Sequence, residues 1–241
     1  MPEPAPESGL QILRSADRFT TEAGGIVTRH CFSFGNHYDP ANVGFGALRA
    51  VNDEWLAPGA GYDTHHHADV EIVTWVLEGE LQHEDSTGNG GIIRPGQVQH
   101  LSAGSGVEHG EHNASEIEPL HFLQMWLVPD LDAAAEPAYD QVDLELPPVK
   151  LVPTVSIRNR NARLSAARLD EGQQVTLPAI ELIHLHVVRG SVDVAGHTLG
   201  AGDTARLTDT QGIHVMGVEQ AEMQAEMQAE IMVLQMSKAG G

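Results

Sequence analysis

Hydrophobic residues in this chain fall in short runs of about four to eight, broken every eight to twelve residues by Gly, Pro, Asn or Asp, the rhythm of strands and turns. Val70–Leu77, Leu120–Val128, Leu182–Val188 and Ile231–Met236 are the clearest runs, and each predicts a buried strand. No amphipathic helical pattern appears before about residue 215. A single sheet of such strands would leave one apolar face wet, so the pattern predicts barrels or two-sheet sandwiches. Between Val128 and Val152 the composition turns Pro-rich and acidic, ending in Pro147-Pro148, which predicts an extended connecting arm. Strand and turn signals then resume, with glycines at 190, 196 and 202. The expected organisation is a flexible tail at 1–9, a first β domain at 10–145 and a second at 146–241. Within the second lies a tandem repeat, Ala221–Glu230, whose Met223, Met227 and Ile231 stand at helical spacing and predict a short helical or hairpin extension.

Composition narrows the function classes. The chain has 241 residues, 41% hydrophobic and only 5% aromatic, with 13 Lys and Arg against 34 Asp and Glu, a net charge of −21. That acidity repels phosphate backbones and argues against direct nucleic-acid binding. No apolar run approaches the roughly 18 residues of a membrane span, and the first residues, MPEPAPESG, carry no secretory pattern. The one cysteine, Cys31, cannot form an internal disulfide. These features predict a soluble, cytoplasmic protein. Cys31 beside Phe32 is expected in the core. Trp55, Trp75 and Trp126 are expected to pack the barrel. The glycine-rich stretch at 88–91 lacks a following Lys-Ser/Thr and predicts a hairpin turn rather than a phosphate cradle.

The 14 histidines are clustered. His65 and His67 follow a Gly-rich turn and, on a strand, share one face about 6.5–7 Å apart, with His66 on the other. His109 and Glu111 repeat that spacing after a second Gly-rich turn. Were the two strands neighbours, cross-strand partners about 4.5–5.5 Å apart would bring three imidazoles and a carboxylate around one ion. Such a mixed N/O set suits divalent iron, with Mn, Co, Ni, Cu or Zn as competitors, and four ligands leave open positions for chemistry. Glu71 could supply the carboxylate instead of Glu111, or support the ligands from behind. His184 and His186 also stand two apart, yet with His197 and His214 they complete no second motif. They are expected as half-exposed strand histidines, without a second metal. His37, Tyr38, His100, His112 and His121 are not sorted by the sequence into cavity or surface.

At these residues the chain resembles the cupin superfamily. Gly59, His65, His67, Glu71 and Gly79 follow the first cupin motif, and Gly106, His109 and Asn113 the second, with Gly104 where the motif usually has Pro. More specifically, residues 17–141 resemble the pirin family nearly throughout, and the carboxy-terminal half resembles the second cupin domain of two-domain bacterial pirins. Pirins commonly have His-Pro-His-Arg-Asp where this chain has His65-His66-His67-Ala68-Asp69, a change at the pocket mouth that spares both ligand positions. The resemblance implies an all-β fold of two tandem cupin (jelly-roll) barrels, the second without metal. It implies the ligands His65, His67, His109 and Glu111, with Fe2+ as the usual ion. It also implies quercetin 2,3-dioxygenase activity, in which a flavonol-like aromatic substrate and O2 meet at the metal, the central ring opens and CO leaves. In that scheme Glu111 both holds the metal and accepts the flavonol hydroxyl proton, a role Glu71 could contest. An alternative drawn from the same family is a non-enzymatic, iron-dependent, redox-responsive regulator that binds a protein partner.

Overall fold

The structure, a computed structural model, describes residues 9–130, 135–219 and 228–238. Among them the only helix is one 3-10 turn, Ser15–Asp17, and no helix is long and apolar enough to cross a membrane. The first strands are β1 (Leu10–Leu13), β2 (Phe19–Ala23), β3 (Ile26–His30), β4 (Leu48–Leu56), β5 (Gly61–His67) and β6 (Glu71–Glu78). They are followed by β7 (Leu81–Asp85), β8 (Gly90–Ile93), β9 (Gln97–Ser102), β10 (Val107–Asn113), β11 (Leu120–Leu127) and β12 (Ala138–Asp143). The carboxy-terminal strands are β13 (Val152–Pro153), β14 (Ala162–Leu169), β15 (Gln174–Leu177), β16 (Leu182–Arg189) and β17 (Ser191–Val194). The last are β18 (His197–Gly200), β19 (Thr204–Thr208), β20 (Ile213–Gly217) and β21 (Ala229–Met236).

Residues 18–145 and 154–160 form one compact unit. Its antiparallel strands make a seven-stranded sheet, β12-β9-β6-β11-β4-β3-β2, and a four-stranded sheet, β5-β10-β7-β8. Leu56, Val76, Leu120 and Phe122 from the large sheet meet Leu81 and Ile93 from the small one, all at most 1% exposed. Burial of each such side chain contributes about 1.5–3 kcal/mol, so this layer holds the sheets together. The same strands then change character. Because side chains alternate, Leu56, Glu54 and Asn52 share one face of β4, and Leu120, Phe122, Gln124 and Trp126 share one face of β11. Beside the apolar layer each inner face carries polar residues, Glu54 and Asn52 on β4 and Gln124 on β11, and these line a cavity together with Trp126. Gly79 (φ 77°) makes the tight turn between β6 and β7, where an added Cβ would strike the Pro119 carbonyl. Gly104 (φ 51°), in place of the usual Pro, has a φ that Pro cannot adopt, and a Cβ there would run into the Ala135 carbonyl.

The other unit comprises 9–17, 146–153 and the described residues from 161 onward. It pairs a six-stranded sheet, β1-β19-β16-β21-β14-β13, with a four-stranded one, β15-β20-β17-β18. Its apolar core includes Ile183, Leu185, Val187, Ile231 and Val233, each fully buried.

Several expectations from the sequence are corrected. Leu10–Leu13 pairs with residues 204–207 of the carboxy-terminal half, and Thr154–Arg160 joins the amino-terminal barrel, so the units are not the contiguous segments 10–145 and 146–241. Strand pairing, which a composition shift does not encode, draws these borders. The expected arm also contains β12, which pairs along β9 and covers an edge otherwise left open. Ile231, expected on a helical face, lies in β21, while residues 220–227 of the repeat lie outside the described residues. The hairpin expected at 88–91 is present as the β7–β8 turn, where the Asp85 carboxylate accepts the Thr87 and Asn89 backbone N–H groups. Cys31 is buried as expected.

Candidate metal centre

β5 and β10 are neighbours, with His65 directly opposite His109. A register shift follows, so that Glu111 opposes Tyr62 and β5 carries one extra residue. This bulge inverts the side-chain alternation within β5, which lets Tyr62 and His65, three apart, both reach the cavity. His66 points the other way and is exposed.

One ring nitrogen from each of His65, His67 and His109 lies within 4.8 Å of the others, and His65 Nε2 stands 3.0 Å from His67 Nε2. His109, His83 and Glu111 form a second such triplet. The four expected ligands are thus two overlapping groups hinged on His109, with His83 as a fifth neighbour. His109 is 1% exposed and neither of its ring nitrogens has a hydrogen-bond partner among the described residues. Buried polar atoms rarely stay unsatisfied, and a cation between these groups would satisfy them. Burial first, and then neighbouring histidines, push His67 and His109 down to about 4, against the attraction of Glu111, so both rings are neutral at pH 7 and offer lone pairs.

Glu111 is 2% exposed. Its Oε1 accepts from Gln99 Nε2 at 3.0 Å and its Oε2 from Gln124 Nε2 at 2.8 Å. Burial alone would raise its pKa, but His83, His109 and the Gln124 amide outweigh it and keep the group below the usual carboxylate value. A buried anion facing neutral imidazoles completes a donor set that fits a divalent transition metal. His83, fully buried, stacks on Tyr139 at 4.9 Å between ring centroids, and its Nδ1 lies 3.9 Å from Glu111 Oε1.

Glu71 faces different partners. It accepts from Ser102 Oγ (2.6 Å), the Arg158 backbone N–H (2.9 Å) and His100 Nε2 (2.7 Å), and it belongs to neither histidine triplet. Burial would raise its pKa, but these three donors hold it below the ordinary value. Glu71→Ala would leave them unpaired in a buried site, so we expect a loss of about 3 kcal/mol in urea unfolding with the metal stoichiometry unchanged.

The cavity beside the cluster has a volume of about 400 Å³, within the range of small-molecule sites. Phe34 and Trp126 line it; the Trp126 ring meets His67 edge-on at 4.9 Å, so this tryptophan serves the cavity as well as barrel packing. The unsorted residues now have places. His100 binds Glu71, His121 stacks on Trp55 and bonds Asp53, His37 stacks on Phe19, Tyr38 is exposed and His112 half-buried. In the other unit His184 and His186 are buried rather than half-exposed, because they sit mid-strand in β16, and no cluster of three metal-ligating groups occurs there among the described residues. Sequence reasoning missed His83, Gln99, Gln124 and Tyr139, which no motif spacing marks.

A barrel of two antiparallel sheets carrying a histidine–carboxylate cluster on its inner face, with a second two-sheet barrel that has no such cluster among its described residues, defines a two-cupin protein of the metal-binding kind. The chain belongs to the pirin family: the family's profile, described as Pirin, matches residues 13–127, and one described as "Quercetinase C-terminal cupin domain" matches 154–236. A Mycobacterium tuberculosis protein provisionally named quercetin 2,3-dioxygenase is 41% identical over 226 residues, covering 89% of this chain and 93% of that one. The Escherichia coli K12 protein named quercetin 2,3-dioxygenase is 32% identical over 223 residues, covering 89% and 96%. The crystal structure of an E. coli bacterial pirin, YhhW, in complex with nickel(II) superposes with a TM-score of 0.86 at 29% identity, covering 96% of this chain and all of that one.

Proposed function

We propose that this protein is a metal-dependent dioxygenase of the quercetinase type, with Fe2+ as its ion, that opens the central ring of a flavonol with O2 and releases CO. The observation that carries this reading is the convergence of His65 and the neutral rings of His67 and His109 with the buried Glu111 anion at a cavity sized for a small aromatic molecule. The relatives named quercetin 2,3-dioxygenase and the nickel-bound E. coli pirin support it.

His65, His67, His109 and Glu111 would hold the ion. When bound, it supplies Lewis-acid charge for the flavonol 3-hydroxyl and neighbouring carbonyl and a redox partner for O2. The protein's own groups do the rest. Glu111 accepts the 3-hydroxyl proton at a carboxylate oxygen, and the Gln99 and Gln124 amides fix the orientation of that carboxylate. Phe34 and Trp126 pack the planar ring system and exclude water from the reacting end. Aerobic incubation of iron-loaded protein with quercetin is expected to bleach the flavonol absorbance with about one CO released per ring opened. Unchanged absorbance without CO would overturn the proposal.

A further inference from the structure

The wall of the same cavity carries polar groups that metal binding does not use. β3 and β4 pair so that Thr28 opposes Glu54 and His30 opposes Asn52, two successive cross-strand pairs on the inner face. Both are hydrogen-bonded, Thr28 Oγ1 donating to Glu54 Oε2 at 2.5 Å and His30 Nδ1 meeting Asn52 Oδ1 at 3.0 Å. His30 Nε2 is in turn 2.9 Å from Thr21 Oγ1, which locks that ring from behind. Tyr62 Oη also donates to Glu54 Oε2, at 2.8 Å.

These bonds leave one oxygen and one nitrogen over. Glu54 Oε1 and Asn52 Nδ2 have no hydrogen-bond partner among the described residues, although the two residues are only 3% and 4% exposed and line the cavity. A barrel interior that keeps a carboxyl and an amide two residues apart on one strand, each with an unused position, is built for a hydroxylated ligand. Burial raises Glu54 to about 7, against its bonds to Thr28 and Tyr62, so the carboxyl can accept from or donate to a hydroxyl at neutral pH. The Tyr62 ring lies 6.5 Å from that of His65, centroid to centroid, which sets this wall about one aromatic ring away from the metal ligands.

We propose that Glu54 and Asn52, braced by Thr28, Tyr62 and His30, form a polar subsite that recognises ring hydroxyls of the aromatic substrate remote from its metal-chelating oxygens. This rests on the flavonol reading above and deepens it. The subsite selects polyhydroxylated flavonols, and it is a specificity element, separate from the groups that hold the ion.

The test compares quercetin with 3-hydroxyflavone, which keeps the chelating pair and lacks every other hydroxyl. Binding to iron-loaded protein is followed without oxygen by quenching of tryptophan fluorescence, so turnover is not the readout. The wild type is expected to bind quercetin at least about tenfold more tightly, the size of one charge-assisted hydrogen bond. Glu54→Gln keeps an oxygen for Thr28 and Tyr62, so it folds, but presents a neutral amide donor to the cavity. It is expected to weaken quercetin binding about tenfold and to leave 3-hydroxyflavone within twofold. Asn52→Ser is expected to shift the same ratio in the same direction. Equal affinity of the wild type for both flavonols, or equal losses for both in Glu54→Gln, would overturn the subsite while leaving the flavonol reading intact. Failure of the wild type to bind either flavonol would overturn that reading, and the subsite with it.

Discussion

Replacing His109 with alanine is expected to empty the metal site, taking the content of the purified protein from about one ion per chain to less than a tenth of that. His109 is the hinge of the centre, because it alone belongs to both triplets, the one with His65 and His67 and the one with His83 and Glu111. Its ring is buried against those of His65, His67 and His83, and neither of its nitrogens has a hydrogen-bond partner among the described residues. Alanine at this position leaves His65 and His67, two adjacent donors on one strand, facing Glu111 without the ring that links them. Loss of one ligand from a four-ligand site leaves too few donors to compete with water and buffer. The fold should survive, since the apolar layer of Leu56, Val76, Leu81, Ile93, Leu120 and Phe122 is made elsewhere on the same strands. Elemental analysis beside circular dichroism checks both halves of the expectation, and a folded variant with its full metal complement would remove His109 from the ligand set.

Glu111→Gln is expected to lower quercetin turnover by about 10²–10⁴-fold at saturating iron, the usual contribution of a positioned proton acceptor. Two effects act together. The amide cannot take the substrate proton at pH 7, and it sets an NH2 against the Gln99 or Gln124 amide where each oxygen now accepts one hydrogen bond. Reorientation of the side chain should also weaken iron binding by about 10–100-fold, so activity must be read at metal concentrations that restore occupancy. A variant that keeps wild-type turnover once reloaded would show that another group takes the proton. Glu71 is poorly placed for that role, because it belongs to neither histidine triplet and does not line the cavity beside them.

Much of this centre was legible in the sequence because strand geometry is periodic. A spacing of two on a strand puts His65 with His67, and His109 with Glu111, on shared faces whatever the rest of the fold does. Short apolar runs such as Leu120–Val128 likewise announced β11, and the fold class with it. What could not be read depends on register. Asn52 and Glu54 look like ordinary polar residues within β4, and only their pairing with His30 and Thr28 shows that the face they occupy is an interior one. His83 sits in a short strand with no motif around it, and its approach to Glu111 follows from the pairing of β7 with β10. The bulge that turns Tyr62 inward is a local irregularity without a distinctive residue to mark it. Unit borders escaped for the same reason, since β1 finds its partner about 190 residues away in β19, a long-range pairing that composition cannot foretell.

The account rests on one cation held jointly by the two strands β5 and β10. Anomalous diffraction at the iron edge, from crystals of protein loaded with Fe2+, tests this most directly. A single strong peak about 2.0–2.3 Å from a ring nitrogen of His65, His67 and His109 and from an oxygen of Glu111 is the predicted result. A peak elsewhere in the molecule, or full loading with no ion between these four side chains, would contradict it.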